Sequence, residues 1–327
     1  NRSMKSYLWK INEEKLNKTN LAFYSNFIKQ HYKVNLGNDF NKIWKWSIDN
    51  TDKFWKSIWD FTEVKGKLGN ILLEESDIFI ENKFFPNTEL NYGENLLKKN
   101  NTESAIIFKS ENGYKKVLSW KDLNLNVAQI SSWMKLNGIK KGDRIAAYLP
   151  NIPETVTAYI SSSVIGAIWS SCSPDFGIQG VLDRFKQIKP KIIFTTDGYK
   201  YNGKIINSIS KLKGVLSKLS SIQLTVIIPF ISDEKPDKIS KSILWNDFMD
   251  SCETQILFEQ LPFDHPLYIM YSSGTTGLPK SIVHSSGGTL IQHLKELQLH
   301  TDINREDTIF YFTTCGWMMW NWLVSSL

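Results

Sequence analysis

From about residue 104 onward the chain alternates short runs of β-branched residues with amphipathic helical segments, and this rhythm restricts the fold more than any other feature. Strand, helix, strand in repeated order predicts an α/β architecture, with mostly parallel sheets flanked by helices, because parallel neighbours need a crossover long enough to hold a helix. Ser119 with Asp122 forms a capping-box pattern, and Leu123, Val127, Ile130 and Met134 recur at helical spacing until Asn137-Gly138 ends the helix. Ile145 to Leu149 reads as a buried strand, Pro153 opens a second helix, and Val181 to Ile188 forms a third. Lys191 to Thr195 reads as a strand, Ile205 to Leu219 as a helix, and Leu224 to Ile228 and Leu267 to Tyr271 as further strands.

The first part of the chain, residues 1–95, differs in character. It is rich in rings: Trp9, Tyr24, Phe27, Trp44, Trp46, Trp55, Trp59, Phe61, then Phe84-Phe85-Pro86. Trp55 and Trp59, four apart and near Ile48 and Phe61, predict a helix buried on one face. Lysines between the rings leave stacking on single-stranded nucleic acid as a reading of a different class. A lysine-rich helix with a tryptophan core face produces the same pattern and is commoner, so packing is the expectation. Residues 1–95 are taken as a helical N-terminal segment and 96–327 as the start of the α/β domain.

Composition removes whole classes. With 327 residues and 42% hydrophobic content the chain can bury a sizeable core, which excludes disorder as the main theme. The formal charge of +6 is spread along the length rather than gathered into an arm, so it points to no particular partner. Cys172, Cys252 and Cys315 form no CxxC and no zinc-ligand spacing, so Cys172 and Cys315 are expected to be buried small hydrophobes in a cytoplasmic protein. Val156 to Trp169, the longest apolar-leaning run, is broken by Ser161, Ser162 and Ser163 and is too short to span a membrane.

The chemistry is concentrated in Tyr268 to His284, where an apolar strand runs into Ser272-Ser273-Gly274-Thr275-Thr276-Gly277-Leu278-Pro279-Lys280 and out into a second apolar strand. Small residues let the backbone approach an anion closely, N–H and hydroxyl groups donate to phosphate oxygens, and a lysine adds a point charge. From Gly274 the chain nearly spells a Walker A loop ending in Lys280-Ser281, but Pro279 stands where that loop needs its second glycine. Proline has no N–H and fixes φ, and the residues after Lys280 read as a strand where a Walker loop opens a helix. A plain Ser/Gly/Thr surface loop is the other alternative, although such loops rarely end in Pro-Lys between two apolar strands.

Ser272 to Lys280 resembles the signature loop of the adenylate-forming superfamily of acyl-CoA synthetases, luciferases and nonribosomal peptide adenylation domains. Leu90-Asn91-Tyr92-Gly93-Glu94-Asn95-Leu96-Leu97, Tyr148-Leu149-Pro150-Asn151-Ile152-Pro153-Glu154 and Ser171-Cys172-Ser173-Pro174-Asp175-Phe176-Gly177 are similar to segments of acetyl-CoA synthetase relatives. Thr313-Thr314-Cys315-Gly316-Trp317-Met318-Met319-Trp320-Asn321-Trp322 most resembles the acetoacetyl-CoA synthetase branch.

That resemblance implies an AMP-forming ligase acting on small molecules, namely acetoacetate or another short acid, ATP and coenzyme A, with no nucleic acid or membrane partner. It implies that Ser272, Ser273, Gly274, Thr275, Thr276, Gly277 and Lys280 hold the ATP phosphates, Lys280 acting as a catalytic electrostatic contact. It further implies that Trp317, Met318 and Met319 line the acyl pocket and that Arg184, Lys200 and Lys204 reach coenzyme A. At the coenzyme A position Thr196 to Tyr201 departs from the family's arginine pattern. His284 is left out of the catalytic set as a structural strand-end residue.

Members of that branch are longer than this chain. The resemblance implies that the adenine contacts, the Mg2+ ligand, the mobile C-terminal domain and its catalytic lysine fall beyond residue 327, so the fragment alone is expected to be inactive. Apolar surface near Phe310, Phe312, Trp320 and Trp322 is then expected to stand uncovered.

Overall fold

The computed structural model describes residues 8–232, 239–249, 253–273 and 277–327, and its chain divides into two units. The first unit comprises residues 1–64, 72–84 and 291–308, and the second residues 65–71, 85–290 and 309–327.

In the first unit, helices α1 (Asn20–Tyr32), α2 (Phe40–Asp49) and α3 (Thr51–Phe61) are built around rings. Thr19 caps α1 through Ala22 N–H, and Asp39 caps α2 through the N–H groups of Asn41 and Lys42. Tyr24 is fully buried, its ring edge-on to Phe61 at 5.3 Å and Phe54 at 6.4 Å, and its hydroxyl bonds Ser57 Oγ at 2.7 Å. Trp46 and Trp59 are buried in the same unit and Trp55 is half-buried, whereas Trp9 and Trp44 are exposed. Ile48 belongs to α2, ahead of a break at Asn50, and is exposed.

Residues 85–95, aromatic like the segment before them, pack within the sheet-bearing unit: Phe85, Leu90 and Tyr92 are buried, and Asn91 Nδ2 donates to Val164 O at 3.0 Å. That unit is organised by a seven-stranded sheet of β1 (Arg144–Tyr148), β2 (Ile168–Cys172), β3 (Ile192–Thr196), β4 (Leu224–Ile228), β5 (Ser242–Leu244), β6 (Pro266–Ser272) and β7 (Lys280–Ser285). Their order is β5-β4-β3-β1-β2-β6-β7, parallel throughout except for the antiparallel pair β6–β7. Helices α4 (Trp120–Leu136), α5 (Pro153–Val164), α6 (Ile178–Ile188) and α7 (Ile209–Leu216) supply the crossovers and cover.

Alternation along the strands sends side chains to two faces. Ala146, Tyr148, Cys172, Ile193 and Ile269 join Val181, Leu182 and Phe185 of α6 and Leu212 and Val215 of α7 in one buried layer. Trp169 and Phe194 are on the other face, where the Tyr159 ring of α5 meets Trp169 at 5.7 Å. α4 starts with the expected reciprocal cap between Ser119 and Asp122 and buries Leu123, Val127, Ile130 and Met134 completely.

Two expectations fail. Ile205 to Asn207 is not the start of a helix: Gly198–Tyr201 and Lys204–Asn207 form an antiparallel hairpin, and the helix runs only over Ile209–Leu216. The hairpin turns at Asn202 and Gly203, both at positive φ, a backbone shape that matches strand twist and that these two residues tolerate. Trp320 is not uncovered. It is fully buried in α8 (Met318–Val324), whereas Phe310 and Phe312 are 82% and 88% exposed and Trp322 is half-buried.

One carboxylate ties the ends of β3 and β4 together. Asp197, 3% exposed, accepts from the N–H groups of Phe230 at 2.8 Å, Ile231 at 3.1 Å and Ser232 at 3.2 Å. Asp197→Ala removes the buried charged acceptor of these three N–H groups and is expected to destabilise the chain by about 2–3 kcal/mol in urea unfolding. An unchanged midpoint would show that the donors find other partners.

Candidate active site

In open parallel sheets, ligands bind outside the carboxyl ends of the strands, where backbone N–H groups and loops converge and where the order of connections reverses. Here β1 leads to β2 on one side while β3, its other neighbour, leads to β4, so the reversal falls at β1. Three sequence motifs emerge at this edge: Leu149 to Glu154 after β1, Ser173 to Gly177 after β2, and the Ser272–Lys280 loop after β6.

Ser272 and Lys280 are paired across the β6–β7 register and form the two stems of the loop. Ser272 is half-buried, while Ser273, Gly277 and Lys280 are exposed. Gly277 has φ +147°, which strains any other residue. Gly274, Thr275 and Thr276 lie outside the described residues. Lys280 opens a strand rather than a helix, so the segment is not a Walker loop.

Register also assigns faces. Tyr268 pairs with Trp169, so Ser272, and Lys280 opposite it, lie on the sheet face shared by Trp169 and Ser171. Ser171 Oγ on that face donates to Cys315 O at 2.5 Å. The Cys315 thiol in turn reaches Leu149 O at 2.8 Å, and an added Cβ on Gly316 would stand 3.4 Å from Ser173 N. The 313–319 segment is thereby laid across the ends of β1 and β2. Trp320 anchors it, with Nε1 donating to Asn151 Oδ1 at 2.9 Å and its rings against Tyr159 at 5.5 Å and Trp169 at 6.5 Å. Of the residues expected to line an acyl pocket, Trp317 is 67% exposed, Met318 is exposed and Met319 is half-buried.

The expected coenzyme A residues are held by different elements. Arg184 of α6 lies over the rings of Phe176 at 4.7 Å and Tyr271 at 5.6 Å, and its carbonyl accepts from Tyr271 Oη at 3.2 Å, which sets it beside the base of the loop. Lys200 and Lys204 are on the 198–207 hairpin, with Lys200 Nζ 5.8 Å from the Phe230 ring. Gln187, which the sequence does not single out, bonds both Pro279 and Ser281, the two neighbours of Lys280. His284 stacks on Tyr268 at 4.7 Å, and burial lowers its pKa, in keeping with a structural role.

A sequence profile of the AMP-binding enzyme family matches residues 95–325. The chain belongs to the AMP-binding enzyme family. Among its relatives, acetoacetyl-coenzyme A synthetase of Rhizobium meliloti (strain 1021) is 44% identical over 292 residues, covering 88% of this chain and 45% of that protein. Acetoacetyl-CoA synthetase of Gallus gallus is 43% identical over 300 residues, again 88% of this chain and 45% of the relative. The solved structure of acetoacetyl-CoA synthetase from Streptomyces lividans superposes with a TM-score of 0.92 at 34% identity, covering 98% of this chain and 49% of that one. The chain thus spans about half the length of the relatives it matches. The mostly parallel, helix-flanked fold is that of this AMP-binding enzyme.

Neither thiol in the site is suited to nucleophilic work. Cys172 and Cys315 are fully buried and unbridged; burial pushes the Cys172 thiol well up and Cys315 up from its ordinary 9.0 to about 12. A thiol whose folded pKa is raised contributes its stability fully below pH 9.0, and that contribution is lost as the pH rises toward 12. Alkylation resolved by peptide mass spectrometry at pH 8 should therefore leave both residues unmodified in the folded chain and modify both after unfolding; rapid labelling of either in the folded state would contradict their placement.

Proposed function

We propose that the intact protein carrying this chain is an AMP-forming acid–thiol ligase that couples acetoacetate to coenzyme A. The observation that carries the reading is the convergence of the Ser272–Lys280 hairpin and the anchored 313–319 segment on one sheet face at the carboxyl ends of β1, β2 and β6. It is supported by relatives named acetoacetyl-CoA synthetases that are more than 40% identical over 88% of this chain.

The reaction then runs in two displacements. A carboxylate oxygen attacks the α-phosphorus of ATP, an O–P bond forms, and pyrophosphate leaves. The thiol sulfur of coenzyme A next attacks the acyl carbon, the carbon–oxygen bond to AMP breaks, and the thiol proton is released. Both steps bring anions together, so the protein's task is to hold and screen them at attack distance, not to supply a nucleophile. Ser272, Ser273, Thr275, Thr276 and Lys280 serve the β- and γ-phosphates, with Gly274 and Gly277 allowing close approach. Trp317, Met318 and Met319 serve the acyl end, and Arg184, Lys200 and Lys204 the coenzyme A phosphates. Among the described residues no three His, Cys, Asp or Glu side chains converge as a metal site. Buried unbridged thiols suit the reducing cytoplasm, and among the described residues no helix is long and apolar enough to cross a membrane.

Two measurements on the intact protein test this. Lys280→Ala is expected to lower kcat/KM for ATP by about 10²–10³-fold, the usual cost of one transition-state contact, with Lys280→Arg milder and no covalent adduct at Lys280 during turnover. An acyl or adenylyl group trapped on Lys280 would refute the electrostatic role. Across an acid series, kcat/KM should rank acetoacetate above acetate, and both above octanoate, because large side chains at Trp317, Met318 and Met319 leave little room for a long tail. Preference for octanoate would refute the acyl assignment, and a preference for acetate, propionate or butyrate would move the substrate to an unsubstituted short acid.

A further inference from the structure

We propose that Gln187 is a positioning residue for Lys280, fixing the outgoing stem of the phosphate hairpin and thereby the affinity for ATP; the inference rests on the function proposed above. Gln187 is in the last turn of α6, a helix seated on the sheet by Val181, Leu182, Phe185 and Ile188, all buried. Its backbone is therefore fixed even though its side chain is exposed. Both N–H donors and the carbonyl oxygen are engaged: Nε2 donates to Asp183 O at 2.7 Å and to Pro279 O at 2.8 Å, and Oε1 accepts from Ser281 Oγ at 3.0 Å. The first bond orients the amide on its own helix. The other two hold the residues on either side of Lys280.

The stem takes this second hold beside its ladder: among the described residues β7 pairs with β6 and with no other strand. Pairing with β6 sets Lys280 opposite Ser272, and the two Gln187 bonds act on Pro279 and Ser281 from α6. Ser281 pairs with Tyr271, whose hydroxyl bonds the Arg184 carbonyl, so Ser281 is on the α6 face of the sheet. Alternation then puts Lys280 on the opposite face, with Ser171 and the 313–319 segment. Gripping Pro279 O and Ser281 Oγ from α6 therefore fixes the direction of Lys280 without touching it.

Gln187→Met keeps the shape of the side chain and removes both bonds, whereas Gln187→Glu keeps the acceptor for Ser281 and loses the donor to Pro279. In the intact protein, Gln187→Met is expected to raise KM and the dialysis Kd for ATP about tenfold, the worth of one or two ordinary hydrogen bonds, with KM for acetoacetate and the thermal midpoint unchanged. Gln187→Glu should fall between Met and wild type, and adding Ser281→Ala to Gln187→Met should have less effect than Ser281→Ala alone. Hydrogen–deuterium exchange of the peptide over residues 277–283 should rise several-fold in Gln187→Met while that of residues 266–270 does not. Unchanged exchange at 277–283, ATP affinity within twofold of wild type, or an equal loss toward all three substrates with a lowered midpoint would each overturn the positioning role. A wild-type protein that binds no ATP would instead overturn the function on which the inference rests, whatever the exchange result.

Discussion

Ser272 pairs with Lys280 and Tyr271 with Ser281, and the placement of Lys280 depends on that antiparallel register. β6 is bound to the parallel sheet through β2, so its end is fixed by the core; β7 then returns beside it and carries the lysine back to the same edge. A slip of one residue would send Lys280 to the α6 face and away from the 313–319 segment. Hydrogen bonds outside the ladder, from Gln187 and from Tyr271 to Arg184, hold the hairpin from its α6 face.

The second determinant is a buried knot of rings that anchors the 313–319 segment. Trp320, Tyr159 and Trp169 pack together, and the Trp320 indole N–H finds Asn151 in the loop after β1. Tyr92 Oη meets Ser325 Oγ at 2.5 Å in the same region, and burial raises the Tyr92 phenol to about 12. These rings remain neutral near pH 7 and hold α8 in place, which leaves Trp317 and Met318 exposed at its start rather than consumed by the core.

Much of the scaffold is legible in the sequence because period and caps coincide: Leu123, Val127, Ile130 and Met134 repeat at helical spacing behind Ser119–Asp122, and all four are buried. The hairpin at 198–207 is misread because Ile205, Ile206, Ile209 and Leu212 also satisfy a helical spacing, although Asn202-Gly203 marks the turn. Trp320 is misread because a run as apolar as 317–324 does not say which ring faces inward; only Tyr159 and Trp169, distant in sequence, decide it. The Ser272–Lys280 hairpin is recognisable from its motif, but Gln187 is not, since a polar residue at a helix end is indistinguishable in sequence from a solvated one until the hairpin is folded against it.

The central claim is that the groups gathered on this sheet edge serve attack of an acid on the α-phosphate of ATP. Exchange of labelled pyrophosphate into ATP by the intact protein measures that step alone. The account predicts exchange that requires acetoacetate, proceeds without coenzyme A and is lost in Lys280→Ala. Exchange independent of any acid, or acetoacetate-dependent release of ADP in place of AMP, would contradict it.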